Sequence, residues 1–187
     1  MSLDEELQRA VEFHGHLCAG LMIGWRMTKI ALRELGSQEK SQDEELVAVV
    51  ESDNCAVDAL QVLSGCTAGK GNLIFRDEGK QAFTIGSRRS GRAVRVVMRA
   101  TARQNMARYR QMSPAEFLAV PEEELFTWQE VTANFPPPAR VFPSVVCASC
   151  GEAVMEPRAR VKDGRIVCRS CAGEYTSRWR DQGEGGA

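Results

Sequence analysis

No stretch of this sequence is apolar for long enough to cross a membrane; no run approaches the roughly 18 residues that a span needs. The opening segment, MSLDEELQRAVEFHGH, is acidic and amphipathic and has no signal-peptide h-region. Net charge is also nearly absent, at −1 from 24 bases and 25 acids, so bulk electrostatics selects no partner. With neither leader nor span, the expected home is cytoplasmic. There, the 7 cysteines read better as metal ligands or reactive thiols than as disulfides. Histidine is scarce, with 2 copies. Both copies stand beside one cysteine, as His14-Gly15-His16-Leu17-Cys18.

At 187 residues and 43% hydrophobic, the chain can hold one ordinary domain and a small appended module. Its charge is unevenly spread. Residues 1–60 are acidic, whereas residues 79–115 hold nine bases and no acid. The simpler reading is that these regions face each other, within a chain or across a dimer; the sharper one is a basic surface for an anionic ligand. We favour the simpler, because long arginines often line a solvated face.

The patterning predicts helices over residues 3–13 and 17–35, the second apolar around most of its circumference and stopped by Gly36. A buried strand is expected at 46–51. A helix at 56–63 follows, with Asn54 as N-cap. Residues 73–75, 82–85 and 92–98 are expected to form one antiparallel sheet, and residues 102–131 to be helical, with Ser113-Pro114-Ala115-Glu116 opening one helix. Phe135-Pro136-Pro137-Pro138 reads as a stiff linker. The expected organisation is an α+β core at 1–134, a linker at 135–143, a zinc module at 144–182 and a disordered tail at 183–187. Helices are expected to pack on an antiparallel or mixed sheet.

Cys147, Cys150, Cys168 and Cys171 form two CxxC pairs separated by 17 residues. Each pair can clamp an ion from one tight turn, and two pairs complete a tetrahedron of thiolates, the pattern of a structural Zn²⁺ site. An Asp163-Gly164 turn predicts a hairpin between them, and a helix is expected over 172–179. Together these resemble a treble-clef finger. Seven bases and six acids from Ser144 onward leave no nucleic-acid footprint.

The upstream cluster carries the chemistry. Two residues apart on a helix, His14, His16 and Cys18 would diverge; a break at Gly15 lets His16 and Cys18 converge. Imidazole and thiolate both suit Zn²⁺ and its neighbours, and a helix N-terminus activates a thiol. Cys55 follows a strand, where α/β folds display functional groups, and is expected to join His16 and Cys18. Asp53 or Asp58 is then placed to orient a histidine. Gly65-Cys66-Thr67-Ala68-Gly69-Lys70-Gly71 fails as a P-loop, lacking the full spacing and the Ser/Thr that binds Mg²⁺. Its N–H groups and Lys70 remain candidates to hold a small anionic ligand.

Four segments in order, Phe13 to Gly20, Cys55 to Gln61, Gly65 to Leu73 and Asp77 to Phe83, resemble the FmdE family, named for a component of molybdenum- or tungsten-dependent formylmethanofuran dehydrogenase. The resemblance covers roughly residues 10–130, and some members carry a C-terminal finger like this one. Where the family has HGHxCPG, this chain has Ala19 in place of proline. The resemblance implies an α+β core, homodimerisation and a cleft lined by His14, His16, Cys18, Cys55 and Cys66. Three functions follow. One is a metal- or thiol-dependent enzyme of one-carbon or pterin-related metabolism, with Cys18 or Cys55 as ligand or nucleophile, His16 as ligand or base, and Lys70 as anion clamp. On that reading His14, His16, Cys18 and Cys55 are the candidate second metal site. Another is a non-catalytic accessory component of a larger molybdenum or tungsten oxidoreductase complex. The third is metal handling.

Overall fold

The computed structural model describes residues 4–37 and 40–174. Two compact units divide the chain, residues 1–139 and residues 140–187.

The first unit opens with α1 (Glu5–His14), whose first turn is capped by the Asp4 carboxylate, accepting from the Glu6 N–H at 2.9 Å. Gly15 ends it at φ 94°, in the left-handed region that glycine tolerates best. Helix α2 (Ala19–Leu35) starts two residues later than the pattern predicts, because Leu17 and Cys18 belong to the inter-helix turn. Gly36 stops it at φ 72°. Strand β1 (Leu46–Val50) is buried throughout. It leads to α3 (Ala56–Ser64), where the Asn54 side chain accepts from the Ala56 N–H at 3.0 Å.

Strands β2 (Leu73–Phe75), β3 (Ala82–Ser87), β4 (Arg92–Met98) and β5 (Phe126–Thr132) complete a sheet of order β2-β1-β3-β4-β5. Two expectations are corrected here. Strand β2 runs parallel to β1, Ala48 opposite Leu73, because the two are joined through α3, and a strand–helix–strand unit returns its second strand in the direction of the first. The other pairs are antiparallel, so the sheet is mixed. Residues 126–131, expected to be helical, belong to β5, which pairs with β4 along its whole length, Val96 opposite Trp128. Aromatic and β-branched residues dominate that stretch and favour a pleated surface. The helices upstream of it are short: α4 (Ala100–Gln104), α5 (Met106–Gln111), α6 (Pro114–Ala119) and α7 (Glu122–Leu125). Ser113 and Glu116 form a full capping box at the start of α6.

Helices α2 and α3 cover one face of the sheet. Their axes meet backbone to backbone: a Cβ on Gly24 would lie 2.2 Å from the Ala56 carbonyl oxygen. The core gathers Met27, Ile30, Leu60, Phe83, Phe117 and Phe126, all fully buried, each worth about 1.5–3 kcal/mol of transfer free energy. Arg26 crosses this core. Its guanidinium donates to the Phe117 and Val120 carbonyls at 2.8 and 2.5 Å and lies between the Phe117 and Phe126 rings. The open end of α6 is satisfied in this way; desolvation by burial lowers the Arg26 pKa. The acidic and basic regions do meet within the chain, as Arg88–Glu44 at 3.6 Å and Arg95–Glu51 at 2.7 Å. Beyond β5, Phe135 lies on the opposite face of the sheet against Gly86. A Cβ there would fall 2.3 Å from the ring, so any side chain at that strand position would have to displace Phe135.

The second unit is built from short pieces. Hairpin β6 (Ser144–Val146) and β7 (Ala153–Met155) holds the first CxxC in its turn. Hairpin β8 (Arg160–Lys162) and β9 (Arg165–Val167) turns through Asp163 and Gly164, both at positive φ, the geometry that a two-residue hairpin loop requires. Helix α8 (Arg169–Ala172) carries Cys171. The helix expected at 172–179 begins earlier and has ended by Gly173. Residues 175–179 of that expectation, and the expected disordered tail, lie outside the described residues. No helix among the described residues is long and apolar enough to cross a membrane.

Candidate functional site

Where α1 ends and α2 begins, the chain brings its rare donors together. One ligand atom from each of His14, His16 and Cys18 falls within 4.8 Å of the others. The local reason is the turn. His14 is the last residue of α1, Gly15 reverses the backbone, and Cys18 is the N-cap of α2. The two imidazoles, divergent on a continuous helix, lie with ring centroids 4.7 Å apart.

His14 and Cys18 are each tied to something else. His14 Nδ1 lies 2.7 Å from Asp58 Oδ2, and its Nε2 lies 3.7 Å from Cys18 Sγ. Asp58, on the first turn of α3, also accepts from the Gln61 amide at 3.4 Å. A carboxylate on Nδ1 fixes the ring and leaves Nε2 with its lone pair toward the thiol or a metal. Cys18 Sγ accepts the Leu21 N–H at 3.3 Å, so the α2 N-terminus supports negative charge on sulfur. Of the two aspartates proposed as orienters, the geometry puts Asp58 on the ring, and the ring is that of His14.

Cys55 borders the group. It precedes α3, and a Cβ added to Gly20 would lie 3.7 Å from Cys55 Sγ and 3.8 Å from Cys18 Sγ. The two sulfurs thus flank the same glycine and share one wall. Burial pushes the Cys55 thiol up, and the neighbouring Cys18 pushes it further. The segment before Cys55 is pinned by Asn54, whose amide donates to Ser52 and to Gln81, both at 2.8 Å.

The other two sequence candidates are placed differently. Cys66 is fully buried in the main core, and desolvation raises its thiol to about 11. Lys70 turns its ammonium onto the backbone carbonyls of Ser41 and Gln42 at 3.2 and 3.5 Å, bracing the loop before β1. Neither is among the three convergent donors.

In the second unit, the sulfurs of Cys147, Cys150, Cys168 and Cys171 also lie within 4.8 Å of one another. Backbone N–H groups of Cys150 and Cys168 hold the Cys147 thiol down to about 6. A closed set of four thiolates on two knuckles fits a structural Zn²⁺.

A mixed sheet backed by two helices, a His/Cys cluster at their junction and a separate four-cysteine module define a two-unit protein with metal-binding architecture. The chain belongs to the FmdE family: residues 13–130 match the model described as FmdE, molybdenum formylmethanofuran dehydrogenase operon. Residues 140–177 match the prokaryotic dksA/traR C4-type zinc finger. A crystal structure of a tungsten formylmethanofuran dehydrogenase FmdE-like protein from Syntrophus aciditrophicus shares the fold. It is 24% identical and superposes with a TM-score of 0.65, covering 90% of this chain and 91% of that one. A relative in Archaeoglobus fulgidus, named "Probable S-adenosyl-L-methionine-binding protein", is 35% identical over 201 aligned positions. The match takes in 90% of this chain and 53% of the relative, so the chain spans about half of that protein's length.

Proposed function

We propose that the first unit is a metal-dependent enzyme of one-carbon chemistry in which His14, His16 and Cys18 hold a transition-metal ion of the zinc class. The observation that carries this is the convergence of three good donors within 4.8 Å, with Asp58 hydrogen-bonded to the far nitrogen of one of them. Three protein ligands leave a coordination position for water or substrate, the arrangement of catalytic rather than structural sites. When bound, the ion supplies Lewis-acid polarisation or an activated water. Asp58 holds the His14 tautomer, the Leu21 N–H stabilises the Cys18 thiolate, and Cys55 offers a second sulfur at the edge. The substrate class rests on the relatives' names: both formylmethanofuran dehydrogenase and S-adenosyl-L-methionine belong to one-carbon transfer. A cytoplasmic location and a homodimer fit the reading.

The test is metal content per chain after purification without added metal. We expect two ions in the wild type and one in Cys18→Ser, with the second unit's zinc retained. One ion per wild-type chain would sink the proposal. A second reading has its own observation: Cys18, His14 and Asp58 form a chain of nucleophile, base and orienter, which suits thiol catalysis without metal. Rapid alkylation of Cys18 by iodoacetamide, unaffected by added Zn²⁺, would favour it. The accessory reading predicts instead that the chain copurifies with a larger molybdenum or tungsten oxidoreductase.

A further inference from the structure

The face of the sheet turned away from α2 and α3 contains a cavity of about 290 Å³. Strands β1, β3 and β4 floor it through Val49, Thr84 and Arg95, which are direct cross-strand neighbours. Val131 of β5 and the Phe135 ring beyond it wall the cavity, and that ring occupies the space a Gly86 side chain would need. None of these residues belongs to the His14 cluster or to the zinc module.

The polar groups of this cavity are unequally spent. Arg95 donates from Nε and Nη2 to the two carboxylate oxygens of Glu51 at 2.7 and 2.8 Å. That bidentate pair is internally neutral and fixes the guanidinium plane. Arg76 also lines the cavity. Among the described residues it makes no side-chain hydrogen bond or ion pair, and it acts on Glu51 only through its charge. Thr84 is 8% exposed, and its hydroxyl has no protein partner among the described residues. Two guanidiniums against one carboxylate leave one positive charge in a cavity that Val49, Val131 and Phe135 also line.

We propose that this cavity binds a small organic anion: one carboxylate or phosphoryl group held by Arg76 and the Thr84 hydroxyl, with a short apolar or aromatic body against Val49, Val131 and Phe135. Guanidinium is the side chain best matched to such oxyanions. The volume is at the low end for small-molecule sites, too small for a dinucleotide. Carboxylate and phosphoryl ligands share this recognition chemistry, and two probes separate them.

The test is isothermal titration calorimetry on the full zinc-loaded chain with benzoate and, separately, phenyl phosphate. Saturable binding of at least one probe, one per chain, is expected. Arg76→Gln should weaken it about tenfold, the loss of one charged hydrogen-bonding partner. Arg76 is exposed, so that variant should keep the wild-type Tm, and Thr84→Val supplies an independent variant with the same expected direction. Cys18→Ser should bind as the wild type does. Binding of benzoate alone assigns a carboxylate ligand; binding of phenyl phosphate alone assigns a phosphoryl ligand. No saturable binding of either probe overturns the proposal. So does binding that survives Arg76→Gln, or binding lost in Cys18→Ser, which would place the anion at the His14 cluster. A dimer that dissociates on Arg76→Gln, with no probe binding, would give this face to a second copy of the chain instead.

Discussion

The two donor clusters of this chain are held by opposite means. Cys147, Cys150, Cys168 and Cys171 stand on turns and three-residue strands, and Cys147 and Val167 are the hydrophobic residues buried in that unit among the described residues. Apolar burial there is far too small to offset the entropy of ordering the chain. The His14, His16 and Cys18 cluster stands on helix ends anchored in a core that includes Phe83, Phe117 and Phe126. Its scaffold is complete without an ion. A closed all-thiolate site thus makes its fold, whereas a mixed His/Cys site is presented by a fold already made. On the function proposed above, that difference separates a structural metal from one with room for substrate.

The largest expected effect follows directly. Stripping the metal with a chelator, or substituting Cys147→Ser, should unfold the second unit while the first stays folded. Structural zinc supplies about 10–16 kcal/mol of apparent binding free energy in small modules, more than a unit of this size can replace. Amide NMR reads both halves in one sample: signals from residues 144–172 should collapse and those from residues 4–135 persist. Joint collapse would break the comparison.

The converse perturbation is Gly24→Ala. A methyl group 2.2 Å from the Ala56 carbonyl oxygen and 2.5 Å from its Cα meets backbone that has no rotamer to yield, so α2 and α3 must separate. A loss of about 3 kcal/mol is expected, the upper range for overpacking. Thermal melts should show the first unit's transition falling while zinc content stays constant. Next in size is Asp58→Asn. It keeps the shape but removes the charge behind His14 Nδ1, and such outer partners are worth about 10- to 100-fold in metal affinity. Competition with a chromophoric chelator should show that weakening at the first unit's site alone.

Much of this was legible in the residues. The Cys pairs, Gly36, the Asp163-Gly164 turn and the Ser113 capping box each impose one local geometry, and each is found. What the residues hide is set at long range. Strand β5 carries polar side chains on a half-exposed surface, and its pairing with β4 draws on residues some thirty positions away. The acidic run Glu122 to Glu124 before it reads as helix and masks the switch. Strand β2 is only three residues long, so its direction is decided by the α3 crossover rather than by its own pattern. At the site, the convergence of His14 with Cys18 depends on Gly15 adopting a left-handed turn, a conformation that sequence permits but does not require. The choice of Asp58 over Asp53 depends on which face of α3 meets α1.

The smallest expected effect probes the first unit's own electrostatics, and pH makes it separable from the zinc. The two hydrogen bonds from Arg95 hold the Glu51 carboxyl below its ordinary value, about 4.3 for a glutamate in an unfolded chain. A depressed folded pKa means that the pair contributes its stability above that value and loses it as pH falls through the folded one. Glu51→Gln should therefore destabilise the first unit at neutral pH by about 1 kcal/mol, given that the pair is only partly shielded from water. The wild-type and variant stability curves should then converge below pH 4. The second unit must fail at acid for a different reason, because protonated thiols release metal. Near-UV circular dichroism is the readout, since two of the three tryptophans, Trp25 and Trp128, sit in the first unit. A gap between the curves that stays constant across this pH range would show that the pair stabilises through shape and packing rather than charge.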